Sequence, residues 1–341
     1  MTMKISTLWF RSSCIDMFFF TLGFFLLLVC SCSEDDCTVC PPSDETPPAG
    51  WFVQETPTQE SLNHIHVFDT KTAIAAGGAG TIGRTNDGGD TWVVVPSGTQ
   101  QNLLTISFVD ETTGWAIPES SFVLKTTDGG VDWVQQDLPI NTALRTAFFV
   151  EENVGWVAAG SLGSGAVDAV ILKTVDGGDT WNSQPTPFTV RTMYFVDADS
   201  GCVAGGQNLL RTTDGGATWS AYDPAPPSWF GSLFFVGTLK GWIAGAQGFV
   251  AATEDGGKTW VHLDSGTNRN IPEVFFLDAN TGWLVARNPG TIATTSDGGI
   301  TWRFQTNPSM VNLSDVSFVD ADTGWICGFD GLILKTETGG W

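Results

Sequence analysis

Beyond residue 50 the chain alternates short apolar stretches with glycine-rich turns, and no stretch carries the 3.6-residue periodicity of an amphipathic helix. Apolar residues recur at period two, as at Leu332 and Leu334, which is the spacing of a strand. Two signals punctuate these strands at fixed places. One runs from Thr85 to Trp92 and reads Thr-Asn-Asp-Gly-Gly-Asp-Thr-Trp. It returns around Asp128 and Trp133, Asp176 and Trp181, Asp214 and Trp219, Asp255 and Trp260, and Asp297 and Trp302. Successive aspartates are 41, 48, 38, 41 and 42 residues apart. A degenerate copy closes the chain, with Thr338 in the aspartate's place. The second signal precedes the first by a fixed interval: Phe108-Val109-Asp110 and then Gly114-Trp115, with relatives at Gly155-Trp156, Gly241-Trp242, Gly282-Trp283 and Gly324-Trp325. Gly201-Cys202 and Ala73-Ile74 hold the same place in two further copies.

Each unit therefore predicts four short strands. Strand A ends at Phe-Val-Asp, B starts at Gly-Trp, C leads into Thr-x-Asp-Gly-Gly, and D starts at the following Trp. Asp-Gly-Gly between two strands is a tight hairpin signal, because glycine supplies positive φ, and the aspartate can accept backbone N–H bonds inside the turn. A period near 40 residues, four strands per unit and no helix predict an all-β, seven-bladed β-propeller. The last unit stops at Trp341 without a strand D, whereas Trp51-Phe52-Val53-Gln54 reads as a strand D without its turn. The N-terminal strand is thus expected to complete the seventh blade and leave no open sheet edge.

Residues 1–31 stand apart. Lys4 and Arg11 precede an apolar run from Met17 to Val29, the length of a signal-peptide core. The run ends Val29-Cys30-Ser31-Cys32, which resembles the lipobox of bacterial lipoproteins. The resemblance implies acylation of Cys32, with small Ser31 before it, and an exported protein anchored in the outer membrane, at the surface if Ser33-Glu34-Asp35-Asp36 acts as the acidic export signal it resembles. Residues 32–50 are proline-rich and acidic and read as a flexible tether, leaving 51–341 for the propeller. Cys37 and Cys40 within it are compatible with a local disulfide. A redox pair needs a helix N-terminus and a zinc site needs further ligands, and the segment offers neither. Cys202 and Cys327 fall in repeat strands and are expected to be buried and inert.

Charge narrows the partners. Lysine and arginine total 15 against 37 acidic residues, a net charge of −22, so no cationic surface is available for nucleic acid. No cofactor and no metal are expected, and the chain is expected to act as a monomer. His64 and His66 share a strand face and are read as isolated polar residues. The six aspartates Asp87, Asp128, Asp176, Asp214, Asp255 and Asp297 occupy equivalent places in separate blades, so they cannot converge on one reacting centre and are read as structural.

The repeated element resembles the Asp-box, or bacterial neuraminidase repeat, family over residues 51–341. Its Phe-Val-Asp and Gly-Trp elements look most like the photosystem II assembly and stability factor propellers, whose role the resemblance attributes to a basic, arginine-rich patch. This strongly acidic chain departs from that pattern. Sialidases share the repeat and need three arginines, a tyrosine nucleophile with a glutamate, and an aspartic acid. Here Arg145, Arg191 and Arg287 supply the arginines by number, Tyr194 and Tyr222 are the available tyrosines, and the Arg-Ile-Pro element is absent. Other Asp-box glycosidases use two carboxylates, for which Glu273 and Asp315, at the starts of adjacent strands A, are the pair. The favoured reading is a binding and assembly scaffold without catalytic residues. Its site is expected on the face opposite the Asp-boxes, with Arg145, Arg191, Trp229, Phe230 and Arg287 as candidates and a protein or glycan of the cell envelope as partner; a glycoside hydrolase or sialidase-like enzyme is the alternative.

The anchoring expectation has a direct test: Cys32→Ser should abolish acyl labelling and release the protein from membranes. The same loss from Cys30→Ser, with Cys32→Ser still labelled, would move the lipid to Cys30.

Overall fold

A computed structural model describes residues 50–161, 168–223 and 228–341; Cys32, Cys37, Cys40 and the proposed signal and tether lie outside the described residues. The strands form seven four-stranded antiparallel sheets. In the first blade strand A is Leu62–Val67, B Ala73–Gly77, C Ile82–Thr85 and D Val93–Val95. Blades 2 to 6 repeat this order over 103–137, 144–185, 192–222, 230–264 and 273–305. Blade 7 takes three strands from 313–337, and its fourth is Phe52–Gln54, paired Phe52 to Lys335, Val53 to Leu334 and Gln54 to Ile333. Closure by the N-terminal strand is therefore observed.

The Phe and the Gly-Trp of the repeat are one device. Phe149 lies so tightly over Gly155 that a β-carbon there would sit 2.1 Å from its ring. Its other face stacks on Trp115 of the preceding blade at 3.6 Å, with the planes 1° apart. The same stack joins Trp156 to Phe195, Trp242 to Phe276 and Trp283 to Phe318 at 3.5–3.6 Å. In blades 2 to 6 the Trp that follows the Asp-box then meets its own blade's Phe edge-on, as Trp181 does Phe149 at 6.2 Å. Blade 1 makes the exception intelligible: Val67 replaces the Phe, and Ala73 then fits where glycine is otherwise required. Burying such aromatic area is the main stabilising term of the ring, and each stacked pair adds roughly 0.5–1.5 kcal/mol.

The Asp-box turns are closed by their own side chains. Asp214 Oδ1 accepts from the Thr218 N–H and the Thr212 hydroxyl, and Oδ2 accepts from the Thr218 hydroxyl. Thr212 Oγ1 in turn accepts from Gly216 N–H at 2.8 Å. The Thr218 hydroxyl, the Thr218 N–H and the Thr212 hydroxyl together hold Asp214 down to about 2. The support such a carboxylate gives is present above its ordinary pKa and fades as pH falls towards about 2. The other five aspartates make the same kind of local bonds within their own turns. In the degenerate copy, Thr338 bonds the Trp341 carbonyl and accepts from Gly50 N–H, so the turn that lost its aspartate clasps the start of the ring. Cys202 and Cys327 are buried and unpaired, and burial pushes the Cys202 thiol up to about 12.

The Phe–Gly coupling predicts a rescue. Gly155→Ala should destabilise the propeller by about 1–3 kcal/mol through overpacking, and Phe149→Val added to it should recover part of that loss, as Val67 with Ala73 does in blade 1. Denaturant melts of the two single variants and the double check it; strict additivity would sever the link.

Candidate functional site

Strands A line the central channel, a cavity of about 610 Å³. Five of them carry a bulge in register with strand B, at Asn63, Leu104, Arg145, Gly231 and Ser314. A bulge adds one unpaired residue and re-aims it. Arg191 and Pro272 hold the equivalent place just ahead of Thr192 and Glu273, the first residues of their strands A. This row forms the channel mouth on the face opposite the Asp-boxes.

Three of the arginines meet there with Trp229. Arg145 donates to Glu119 at 2.8 Å and to the Gly160 carbonyl at 2.7 Å. Arg191 is exposed and lies over the Trp229 ring at 5.8 Å. Arg287 donates to the Leu313 carbonyl and lies over Phe329 at 5.4 Å. Among the described residues no carboxylate is within ion-pair reach of Arg191 or Arg287. Desolvation and then like charge, from Arg145 on Arg191 and from Arg191 on Arg287, lower both guanidinium pKa values. The carboxylate partner of Arg145 is Glu119, from the strand B–C connection of blade 2, and neither Glu273 nor Asp315.

One residue deeper lies a polar row: His64, Thr105, Thr146, Thr192, Glu273 and Asp315 line the cavity, and Ser232, at the equivalent place in its strand, is buried behind it. Glu273 and Asp315 are not solvated rim carboxylates. Asp315 is buried and accepts from the Ile65 and Val316 N–H groups at 2.7 Å each. Glu273 keeps a small opening to the channel but is otherwise enclosed, and it accepts from the Ser232 hydroxyl. Burial and then the Asp315 charge push Glu273 well above the usual carboxylate range. Burial also raises Asp315, although the nearby His64 pulls the other way. His64 Nδ1 is 3.5 Å from Asp315 Oδ2 and makes no hydrogen bond.

Two residues further in, the wall turns aromatic. Phe148 meets Tyr194 at 4.7 Å, Tyr194 meets Phe234 at 5.4 Å, and Phe234 meets Phe275 at 5.1 Å. His66 sits at the same depth against Phe68 and Phe108, and burial followed by the charge of His64 lowers it to about 3, so it is neutral. Burial pushes Tyr194 up to about 12, which opposes the ionisation a tyrosine nucleophile needs. Tyr222 lies on an outer strand, Ser220–Tyr222. Among the described residues no group of His, Cys, Asp and Glu is placed to hold a metal ion.

Of the expected binding-face residues, Arg145, Arg191, Trp229 and Arg287 do converge at the mouth. Phe230 does not. It is fully buried against Phe249 at 5.9 Å, because it precedes the bulge and points into the blade. Its equivalents Leu62, Leu103, Leu144 and Leu313 are all buried, and that row of apolar residues was the signal in the sequence. Glu119, Ser232 and the aromatic belt were missed, because their meeting depends on the closed ring.

The architecture defines an Asp-box propeller with a charged, layered channel. The family model for photosynthesis system II assembly factor YCF48 matches residues 92–187, 183–268 and 260–341, and the chain belongs to this family. No curated protein matches it. Among solved structures it is similar to YCF48 bound to D1 peptide, at 21% identity and TM-score 0.70 over 86% of this chain and 100% of that one. YCF48 from Cyanidioschyzon merolae is similar at 19% identity and TM-score 0.69, over 85% and 99% of the two chains. The GH74 xyloglucanase from Xanthomonas campestris shares the fold at 10% identity and TM-score 0.66, over 86% of this chain and 54% of that one. At these identities the structural likeness speaks for the fold alone.

The polar row makes a prediction about pH. A carboxyl raised above its unfolded pKa contributes stability at low pH and loses it as pH rises through the folded value. Glu273→Gln, which keeps a polar group beside Ser232 and cannot ionise, should therefore raise the melting temperature relative to wild type more at pH 8 than at pH 4. A difference that is flat or shrinks with pH would contradict the placement of Glu273.

Proposed function

We propose that this protein is a non-enzymatic scaffold of the cell envelope, anchored through Cys32, that captures an extended segment of a partner protein at the channel mouth. One observation carries the reading: in a chain of net charge −22, three arginines gather at one mouth, and two of them lack a carboxylate partner among the described residues. Guanidinium groups left in that state favour a carboxylate brought by a partner. Trp229, half-buried beside Arg191, supplies the flat apolar surface that interface anchors use. Membership of the YCF48 family supports a binding role, as does the related structure with a bound D1 peptide. The buried, fully bonded Asp315 and the high pKa of Tyr194 speak against a hydrolase that uses either as nucleophile. Because the strongly acidic chain departs from a basic surface, the proposal concerns a protein segment of the envelope and carries no photosystem role over to it.

The test is capture from native membranes. An Arg145→Ala, Arg191→Ala double variant and Trp229→Ala should each reduce recovery of the partner several-fold while melting near the wild-type temperature; Phe230→Ala should instead melt lower. Undiminished capture by both mouth variants would remove this face from consideration, and glycoside hydrolysis by the purified protein would overturn the scaffold reading.

A further inference from the structure

The channel holds two sets of opposite charge that do not pair with each other. Arg191 and Arg287 lie at the mouth without a carboxylate within ion-pair reach among the described residues. Glu273 and Asp315 lie one residue deeper at the starts of adjacent strands A, Glu273 partly open to the channel and Asp315 buried. Below them comes the belt of Phe148, Tyr194, Phe234 and Phe275. From mouth to belt is about three residues of strand, roughly 10 Å. Arg191 and Arg287 repel one another at the mouth, and Glu273 faces the Asp315 charge below, so an anion alone or a cation alone would relieve one layer only. A small zwitterion with an apolar tail relieves both, and it must enter in one orientation: anion outward, cation next, tail innermost.

We infer that the channel is a binding pocket for a free α-amino acid with an apolar or aromatic side chain. Its carboxylate meets Arg191 and Arg287, its ammonium group donates to Glu273, and its side chain rests on the aromatic belt. Neutral His66, which makes ring contacts but no hydrogen bond in the belt layer, leaves an acceptor beside the tail and admits an aromatic side chain with a polar edge. The pocket rests on the proposed function to the extent that both use Arg191 and Arg287, but it adds Glu273 and the aromatic belt, so loss at Glu273 alone separates the two.

Calorimetry on the purified intact chain decides it with three probes of one shape: L-phenylalanine, 3-phenylpropionate, which lacks the ammonium, and phenethylamine, which lacks the carboxylate. L-phenylalanine should bind saturably and each analogue at least about tenfold more weakly, the loss expected for one charge-assisted contact. Glu273→Gln should weaken L-phenylalanine about tenfold while leaving 3-phenylpropionate unchanged, and Arg191→Gln should do the converse with phenethylamine. The comparison of probes on wild type stands even if a variant folds poorly. No saturable binding of L-phenylalanine to folded wild type, or equal binding of either analogue, overturns the inference. Partner capture that persists in either case leaves the scaffold reading untouched.

Discussion

The ring depends on one contact repeated around it: the Phe at the end of strand A, pressed on the Gly of its own blade and stacked on the Trp of the blade before. A propeller has no single core. It has a seam between each pair of blades, and each seam must be filled by flat, wide groups that fit a wedge. Phe149 between Gly155 and Trp115 fills it from both sides. The scarce basic residues reinforce the same seams. Lys125 reaches the Gly177 carbonyl, Arg84 that of Gly129 and Arg211 that of Gly256, each tying a strand C to the Asp-box of the next blade. With 15 lysines and arginines in the whole chain, cations committed to these straps are unavailable to the surface, so Arg191 and Arg287, which have no carboxylate partner among the described residues, carry more meaning.

Where the chain breaks the rule, the substitutions travel together. Blade 1 has Val67 with Ala73, since a smaller residue above needs no glycine below. Cys202 replaces a Trp, and Phe235 then leans on Tyr194 at 5.7 Å in place of the stack. Ile74 replaces another, and Phe108 is held by Phe68 and His66. The two histidines that looked isolated in the sequence are thus part of how the least regular seam is filled and how the channel is lined.

Blade number, strand order and closure were legible in the sequence, because the turns that mark them rest on chemistry within a few residues of themselves. A Thr-x-Asp-Gly-Gly turn closes on its own hydroxyl and carboxylate wherever it occurs. The site was legible in part. Arg145 and Arg191 stood out as irregular at an equivalent position, but the bulge that turns them to the mouth also turns the preceding residue inward, and this sent Phe230 to the core. Glu273 and Asp315 look like ordinary strand-start carboxylates until the ring closes, buries Asp315 and leaves Glu273 open only to the channel. Their partners Ser232 and His64 come from strands 41 and 251 residues away in the chain, a separation that no local pattern encodes.

The clasp at the seam of the first and last residues of the ring has a topological consequence. Gly50 N–H bonds the Trp341 carbonyl at 2.9 Å, so the two ends of the folded chain are already neighbours. The blades contact only those beside them, and nothing in their packing records which one is translated first. A circularly permuted chain, with residue 341 joined to residue 50 and the opening moved to another D–A connection, keeps every seam and every strand pairing. What the present opening contributes is address: it sets Phe52–Gln54 as a blade's outer strand, the one farthest from the channel-lining strand A.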